Sequence, residues 1–594
     1  MGRANWRRFI EESTSAPDNP HEKGLWRLSR WSKLRAGKPQ VSPHIPPLRR
    51  SEQDDSCDDN LSKAQILAEK FFPEGGQADL SDIDSEVPTH HMLDISSAVT
   101  AEQIEQAINR LPNGKAPGPD NIPNETLKVV APLIKEDLAH AISRCFDSGS
   151  TPENFRESTT VVLRKERKGD YSLPSSYCPI ALENTIAKLM EKLVAERIAC
   201  AAEVHSLLPW NQMGARKQRS TLSALELLTT CVNTAWKAQS GCIVSMLSLD
   251  LGGAFDNVSH ERLLHIMQNA GFPPWITHAI KCFLTERRTK IAFSGFESDW
   301  IPTRAGIPQG SPLSPILFLF FISELLATFE RPDNGTMAFG FVDDTNLVTW
   351  GRSAQANCRR LETAHSRCIA WAKRHGARFA PDKYQLIHFT RRRRDPGGDL
   401  ASTVQFDGRE VPTEATIRVL GVQVDARLRW KEHVKQVVQK GNTAFEALSR
   451  ITASTWGPST KRSRLLYTAV VRPAMLYGSQ LWGLRDSGEP PATSLLKPLK
   501  SLQNRCLWKV MGPYKRTPTA ALERESNVQP MDLHMEHKAM QRTLNTAGHS
   551  VSAEISRAAN TIWTSLRRPA GGARGRRRQG ATPTPRPSTA AEGV

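Results

Sequence analysis

Two acidic stretches hold the residues best suited to chemistry. Residues 341–348 read FVDDTNLV and set Asp343 beside Asp344 in an apolar, β-branched run. On a half-buried strand one of the two carboxylates faces inward, where an unpaired charge is costly. Taken alone, the pair reads most simply as a surface hairpin turn, because Asp and Asn favour turns. The other reading is a metal site, in which cations offset the repulsion between the carboxylates. Residues 243–256, IVSMLSLDLGGAFD, bear on the choice: a β-rich run ends in Asp250, and a Gly pair, Ala254, Phe255 and Asp256 follow. A buried strand ending in an acid and an Asp-Asp turn on another strand can put three carboxylates around one spot. Two divalent cations about 4 Å apart, clamping the attacking and leaving oxygens of an in-line displacement, need such a cluster. Magnesium suits oxygen ligands and keeps some of its waters, so few protein carboxylates suffice.

Between the acidic stretches lies AGIPQGSPLSPILFLFF (305–321), a Gly/Pro/Ser loop with Gly306, Gln309, Gly310 and Ser311 opening onto an apolar helix. Glycine allows close backbone approach, and Gln309 offers both a donor and an acceptor. Taken alone, the segment reads more simply as an ordinary loop into a core helix.

The elements that must position these residues follow from hydrophobic period. From about 125 to 240 most stretches look helical, interrupted by the strand-like TTVVLRK (159–165). From 241 to 350 strand patterns dominate: CIVSMLSLD, TKIAFSG and MAFGFVDD–TNLVTW, with helical segments between them. HSRCIAWAKRHG (365–376) reads as a helix and YQLIHFT (384–390) as a strand leading into Arg391–Arg394. After about 430 the chain is largely helical to about 566. Thr100 and Gln103 form a capping box for a helix whose apolar face is Ile104, Ala107, Ile108 and Leu111. Residues 1 to about 97 mix basic and acidic pieces without sustained periodicity, and the last residues are low-complexity and basic. The first read as ordered only in parts, the second as disordered.

The 594 residues could hold about three or four domains. Lys+Arg outnumber Asp+Glu 79 to 61, a net charge of +18, which favours a polyanionic partner, nucleic acid before a membrane surface. The ten cysteines are scattered with no C-x-x-C pair, which argues against a disulfide framework or zinc site and for a reducing compartment. The longest apolar run, Pro315–Leu326, is too short to span a bilayer and carries Glu324, so it reads as a buried helix and no membrane partner is expected. The N-terminus lacks the apolar region of a signal peptide.

The order DLGGAFD, GIPQGSPLSPILF, FVDD resembles motifs A, B and C of reverse transcriptases, and the wording is similar to that of non-LTR (LINE-type) retrotransposons, fungal ones in particular. NGKAPGPDNIPNE (113–125), SSYCPIALENTIAKLMEK (175–192), NQMGARKQRST (211–221), FAPDKYQLIHFT (379–390), LGVQVDARLRW (420–430) and YKRTPTAALERE (514–525) follow in the family's order. The resemblance covers roughly residues 100–545. It implies an α+β, right-hand polymerase: an N-terminal extension over 1–98, a fingers–palm core over 99–424 (fingers about 99–240, palm about 241–424), a helical thumb over 425–545, and a C-terminal segment over 546–594 with a basic tail. It implies an RNA-directed DNA polymerase that joins dNTPs to a DNA primer 3′-hydroxyl on an RNA template.

By position, Asp250 and Asp343 match the aspartates that bind both Mg²⁺ ions, and Asp344 the third acidic position; Mn²⁺ is an alternative metal. Phe255 matches the aromatic gate that excludes a 2′-hydroxyl, and Gln309 and Gly310 the loop lining the nucleotide site. Asp256 looks like a hydrogen-bonding or capping residue. Lys383 matches the lysine that neutralises or protonates the leaving pyrophosphate. Leu420–Gly421 with Trp430 resembles the turn that steers the primer end, and Arg391–Arg394 reads as a solvated loop that touches phosphate.

Three positions depart from the pattern. Cys178 stands where the family usually has an arginine that contacts the triphosphate; losing that charge-assisted contact costs on the order of 1.5–3 kcal/mol. Glu183 stands where an apolar residue is usual, and Gly252 where lysine is common. A second reading is therefore a catalytically weakened remnant that only binds RNA or RNA–DNA hybrid. The flanking endonuclease and RNase H domains of such elements are not expected here. Retrotransposition points to nucleus or cytoplasm, with the mitochondrion as the alternative.

Overall fold

The computed structural model describes residues 45–74, 78–83, 92–165, 168–330, 335–395, 397–451, 458–484, 489–514 and 516–567. The first 44 residues and the basic tail lie outside them, so the readings made of those segments are not addressed.

Helix α1 (Asn60–Phe71) is capped by Asp59, whose carboxylate accepts from Ser62 N at 2.8 Å. Helix α2 (Ala101–Asn109) starts at the expected capping box of Thr100 and Gln103 and buries Ile104, Ala107 and Ile108 against α3 (Asn124–Ser148). Strands β1 (Glu157–Arg164) and β2 (Tyr177–Glu183) pair antiparallel, and α4 (Thr185–Val204) and α5 (Thr221–Ala238) follow. Next come β3 (Ile243–Leu249), α6 (His260–Asn269), α7 (Pro274–Leu284), β4 (Arg287–Phe293), β5 (Phe296–Glu297) and β6 (Ile301–Thr303). Helix α8 (Ser314–Ala327) leads to the hairpin β7 (Thr336–Phe341)–β8 (Asp344–Gly351), then α9 (Ala354–His375) and β9 (Gln385–Thr390). Two short hairpins, β10 (Val404–Phe406)–β11 (Arg409–Val411) and β12 (Thr416–Val419)–β13 (Val422–Asp425), close this part of the chain. Beyond it run the long helices α10 (Lys431–Ser449), α11 (Thr493–Met511), α12 (Met531–Thr546) and α13 (Ser550–Arg567), with shorter helical pieces between them.

Two sheets organise the site. One has the order β2-β1-β4-β5, with β6 beside β5 on the edge of β4 opposite β1; β1 and β4 run parallel. The segment TKIAFSG, although it follows β3 in sequence, therefore lies in the sheet of β1. The other sheet has the antiparallel order β7-β8-β3-β9. Its central strands are buried on both faces, which is why IVSMLSL and LVTW read as continuous apolar runs rather than alternating ones. Leu247, Leu249, Ala338 and Leu347 face one core with α6, α8 and α9; Val244, Met246, Phe339 and Val348 face a second core shared with α5 and the C-terminal helices.

Helix α8 is buried almost all round, as the apolar run required. No helix among the described residues is long and apolar enough to cross a membrane. Helix α1 is a finding the sequence reading did not make. With Ile45 and Leu48 it buries Ile66, Leu67 and Phe71 against Val162, Tyr177, Ile291 and Phe293 of the first sheet.

Candidate active site

Strand pairing brings the acidic stretches together. The register of β3 on β8 pairs Leu249 with Thr345, so Asp250 emerges at the same sheet end as the β7–β8 turn that carries Asp343 and Asp344. Phe341 pairs with Asp344, leaving a two-residue loop of Val342 and Asp343. Val342 has φ +60, a left-handed conformation that suits glycine and strains a β-branched residue.

The strained turn is held from outside. Gln212 is fully buried; its Oε1 accepts from Val342 N (3.1 Å) and Gly214 N (2.9 Å), and its Nε2 donates to Val342 O (3.3 Å). Asn211 Nδ2 donates to Leu326 O (2.9 Å) and Ala338 O (3.0 Å), tying the same loop to α8 and β7. Gly214 is required because a Cβ there would collide with Val342 N. The run NQMG was visible in the sequence, but nothing in its spacing disclosed that it clamps this turn.

The carboxylates feel one another. Burial first, and Asp250 after it, raises the Asp343 carboxyl above its ordinary range. Asp344 is pushed up to about 6, by burial and then by Asp343 and Asp250. Lys383 Nζ lies 2.6 Å from Asp250 Oδ2, so the lysine expected at the leaving group pairs here with a carboxylate of the triad. Two further contacts fix Asp250 and its neighbour: Ala380 N donates to Asp250 O (2.8 Å) and Gly252 N to Arg378 O (2.8 Å). A Cβ on Gly252 would meet Arg378 O at an ordinary 3.6 Å, so the departure there reflects no steric need.

Among the described residues no three His, Cys, Asp or Glu side chains close on a common point as ligands of an ion. The donor set nevertheless suits a hard divalent cation. It is all carboxylate oxygen, and burial first, with repulsion between the carboxylates after it, raises Asp343 and Asp344, a cost that a bound cation would offset.

The loop after β6 forms the adjoining wall. Gln309 Nε2 donates to Asp256 Oδ1 (2.8 Å), the hydrogen-bonding part expected of Asp256, while Gln309 O accepts from Ala181 N (2.8 Å). Gly310 has φ +138, and a Cβ there would collide with Ala181 O. Phe255 stacks on Phe318 of α8, ring centroids 4.9 Å apart and planes 14° off parallel, and its carbonyl accepts from Ile307 N (2.8 Å). Cys178, half-buried on β2, points its thiol at Gln309 Oε1 (3.4 Å). Burial raises that thiol, and Lys165, just past β1, opposes the rise. Lys165, whose Nζ donates to Ser175 O (3.1 Å), and Lys70 of α1 both lower Asp256, and the sequence reading passed over both.

Beneath the loop lies a buried ionic cluster. Glu183 is 0% exposed and its Oε1 accepts from Arg287 Nη2 at 2.5 Å. Ser311 Oγ donates to Glu191 Oε2 at 2.6 Å, and burial beside Glu183 drives the Glu191 carboxyl strongly upward. The departure at Glu183 is thus met by a guanidinium. A cavity of about 40 Å³ between loop and first sheet is lined by Pro179, Asp256, Gly306, Gln309 and, from the end of α1 and the residue after it, Phe71 and Phe72.

Residues 163–424 match the family described as reverse transcriptase (RNA-dependent DNA polymerase). The chain is 26% identical over 469 residues to the RNA-directed DNA polymerase from mobile element jockey of Drosophila melanogaster, covering 78% of this chain and 50% of that protein. It is 26% identical over 509 residues to the probable RNA-directed DNA polymerase from transposon BS of the same organism, covering 84% and 54%. The chain thus spans about half the length of these curated relatives. Among solved structures, apo telomerase from Candida tropicalis aligns over 69% of each chain at 10% identity and a TM-score of 0.35, too distant to bear on the fold. The antiparallel β7-β8-β3-β9 sheet, with the acids at one end, is the palm expected of a right-hand polymerase, and it lies within residues 163–424, the stretch that matches the reverse transcriptase family.

Proposed function

We propose that the chain is an RNA-directed DNA polymerase of a non-LTR retrotransposon, extending a DNA primer on an RNA template with dNTPs. The observation that carries this reading is the convergence of Asp250 with the Asp343–Asp344 turn at one end of the β3–β8 ladder. In the reaction the primer 3′-oxygen loses its proton and bonds to the α-phosphorus while pyrophosphate leaves with its electron pair. Asp250, Asp343 and Asp344 would hold two Mg²⁺ ions, or Mn²⁺ in their place, which supply charge neutralisation at the phosphates.

The protein's own groups position the substrates. The Phe255 ring, fixed by its stack on Phe318, stands against the sugar and leaves no room for a 2′-hydroxyl. Gln309 and Gly310 line the nucleotide, with Gln309 held by Asp256. When a triphosphate enters, Lys383 exchanges Asp250 for the leaving group, where its proton or charge assists departure. Lys165 is the remaining cation for the triphosphate where Cys178 replaces arginine. Fingers about 99–240, palm about 241–424 and thumb 425–545 are the boundaries this reading uses, with the primer end steered by the Leu420–Gly421 turn. That turn is held by Tyr477, whose hydroxyl donates to Leu420 O at 2.9 Å.

Primer extension on an RNA template with Mg²⁺ and dNTPs, beside Asp343→Ala, tests the reading. Extension by the native chain and none by the variant is expected. No extension by the native chain, with hybrid binding retained, would replace it with the binding-remnant reading.

A further inference from the structure

A large cavity opens among the C-terminal helices. It holds about 960 Å³ and is lined only by α10 and the segment Thr493–Lys509 of α11, with Phe445, Lys497, Arg505, Trp508 and Lys509 among its walls. Helix α10 starts after Trp430, beside the Leu420–Gly421 turn; Phe445 is fifteen residues on, about 22 Å along the helix. The cavity is thus a feature of the C-terminal helices, and none of its lining residues comes from either sheet.

Its composition is specific. Lys497, Ser501, Asn504 and Trp508 recur every three or four residues and, with Arg505 beside Asn504, form one face of α11, while Leu495, Leu499, Leu502 and Leu507 bury the other. Phe445 and Trp508 are half-buried, so part of each ring stays open. The Arg505 guanidinium lies over the Phe445 ring, 5.4 Å from its centroid, and its Nη1 donates to Asn442 Oδ1 at 3.0 Å, which fixes a planar cation at the wall. Lys500 is paired with Asp532 (2.7 Å). Neither Lys497 nor Lys509 has a carboxylate partner among the described residues, and no acidic residue lines the cavity.

The partly open Trp508 ring, a guanidinium stacked on Phe445 and unpaired lysines in one concave groove meet the requirements for single-stranded nucleic acid. Bases stack on rings that any base can use, and phosphates meet the cations. A duplex presents its bases to each other rather than to a protein ring, so it cannot use Trp508 in this way. We propose that this groove binds single-stranded nucleic acid, with one base on Trp508 and its flanking phosphates on Lys497 and Lys509. This goes beyond the polymerase reading, because the site needs neither the carboxylates nor a primer.

The test is fluorescence anisotropy of a labelled oligouridine of about ten nucleotides, within the length one such groove covers. The full chain is used in EDTA without dNTP, with saturating unlabelled RNA–DNA hybrid to fill the polymerase cleft. Trp508→Ala should weaken binding about tenfold, and Trp508→Phe, which keeps a ring, by less than about threefold. Lys497→Gln with Lys509→Gln should reduce the slope of log K against log salt by about 1.4, two phosphate contacts at about 0.7 each. Oligothymidine in place of oligouridine should bind within a few-fold, since stacking and phosphate contact ignore the 2′-hydroxyl. Displacement of the probe by the hybrid would overturn the proposal by making the groove a duplex track. Unchanged affinity in Trp508→Ala with an unchanged salt slope in the lysine pair would overturn it outright. The lysine pair is exposed and keeps the test usable if Trp508→Ala does not fold.

Discussion

Replacing Gln212 with alanine asks whether the turn bearing Asp343 and Asp344 keeps its shape on its own. Val342 at φ +60 stores on the order of 1–3 kcal/mol. Gln212 opposes relaxation through its three hydrogen bonds to Val342 and Gly214. Without the amide, the N–H groups of Val342 and Gly214 lose their acceptor at a buried position, at about 1–3 kcal/mol each before relaxation. We expect Gln212→Ala to lose about 2–4 kcal/mol of stability. If relaxation shifts the carboxylates by about 1 Å, extension should fall about a hundredfold. Single-turnover primer extension measures the second effect and thermal unfolding the first. Val342→Gly supplies the internal check, since glycine takes positive φ without strain; added to Gln212→Ala it should restore at least about tenfold of the lost rate, most of the gap the shift opened. Wild-type extension and an unchanged melting midpoint in Gln212→Ala would refute the clamp, and no rescue by Val342→Gly would refute strain as its purpose.

Asp344→Asn tests the crowding of carboxylates. With its folded value raised to about 6 and its unfolded value near 4, Asp344 favours the folded state below about pH 4, and that contribution is lost as pH rises through 6. In EDTA the asparagine variant should therefore melt with the native chain at pH 4 and above it at pH 7. The gain is held to about 1 kcal/mol, because Asp344 keeps enough surface at the sheet end for water to weaken both the burial cost and the repulsion; equal midpoints at pH 7 would contradict it. Gly310→Ala should abolish extension and destabilise the chain by about 2 kcal/mol or more, since the methyl group meets Ala181 O and the positive φ is unfavourable; urea unfolding reads this. Arg287→Ala leaves Glu183 buried without its cation and should cost about 3–5 kcal/mol, whereas pairing it with Glu183→Leu should recover most of that. Cys178→Arg should raise dNTP efficiency about tenfold to a hundredfold, seen chiefly in KM, if the triphosphate passes between β2 and Lys165; an unchanged KM would place the triphosphate elsewhere.

What the sequence determined by itself was the local material of the site. IVSMLSLD and MAFGFVDD read as buried strands ending in acids because apolar runs and carboxylates are properties of single segments. The capping box at Thr100 and the buried helix after Ser314 were legible for the same reason, whereas the hydrogen-bonding part of Asp256 came from the family resemblance. Helix α1 was readable in part, since Asp59 caps a run with Ala64, Leu67 and Phe71 on one face, but the acidic residues before it masked the period.

The tertiary structure alone decided which segments meet. Lys383 reaches Asp250, Gln212 reaches Val342, and Arg287 reaches Glu183 across 133, 130 and 104 residues of chain. The strain at Val342 was equally invisible, because a valine takes that φ only when neighbours distant in sequence over-determine it. Pairings of this kind depend on sheet order and register. Those are set by how whole faces bury one another, here β3 between β8 and β9, rather than by any short run of residues.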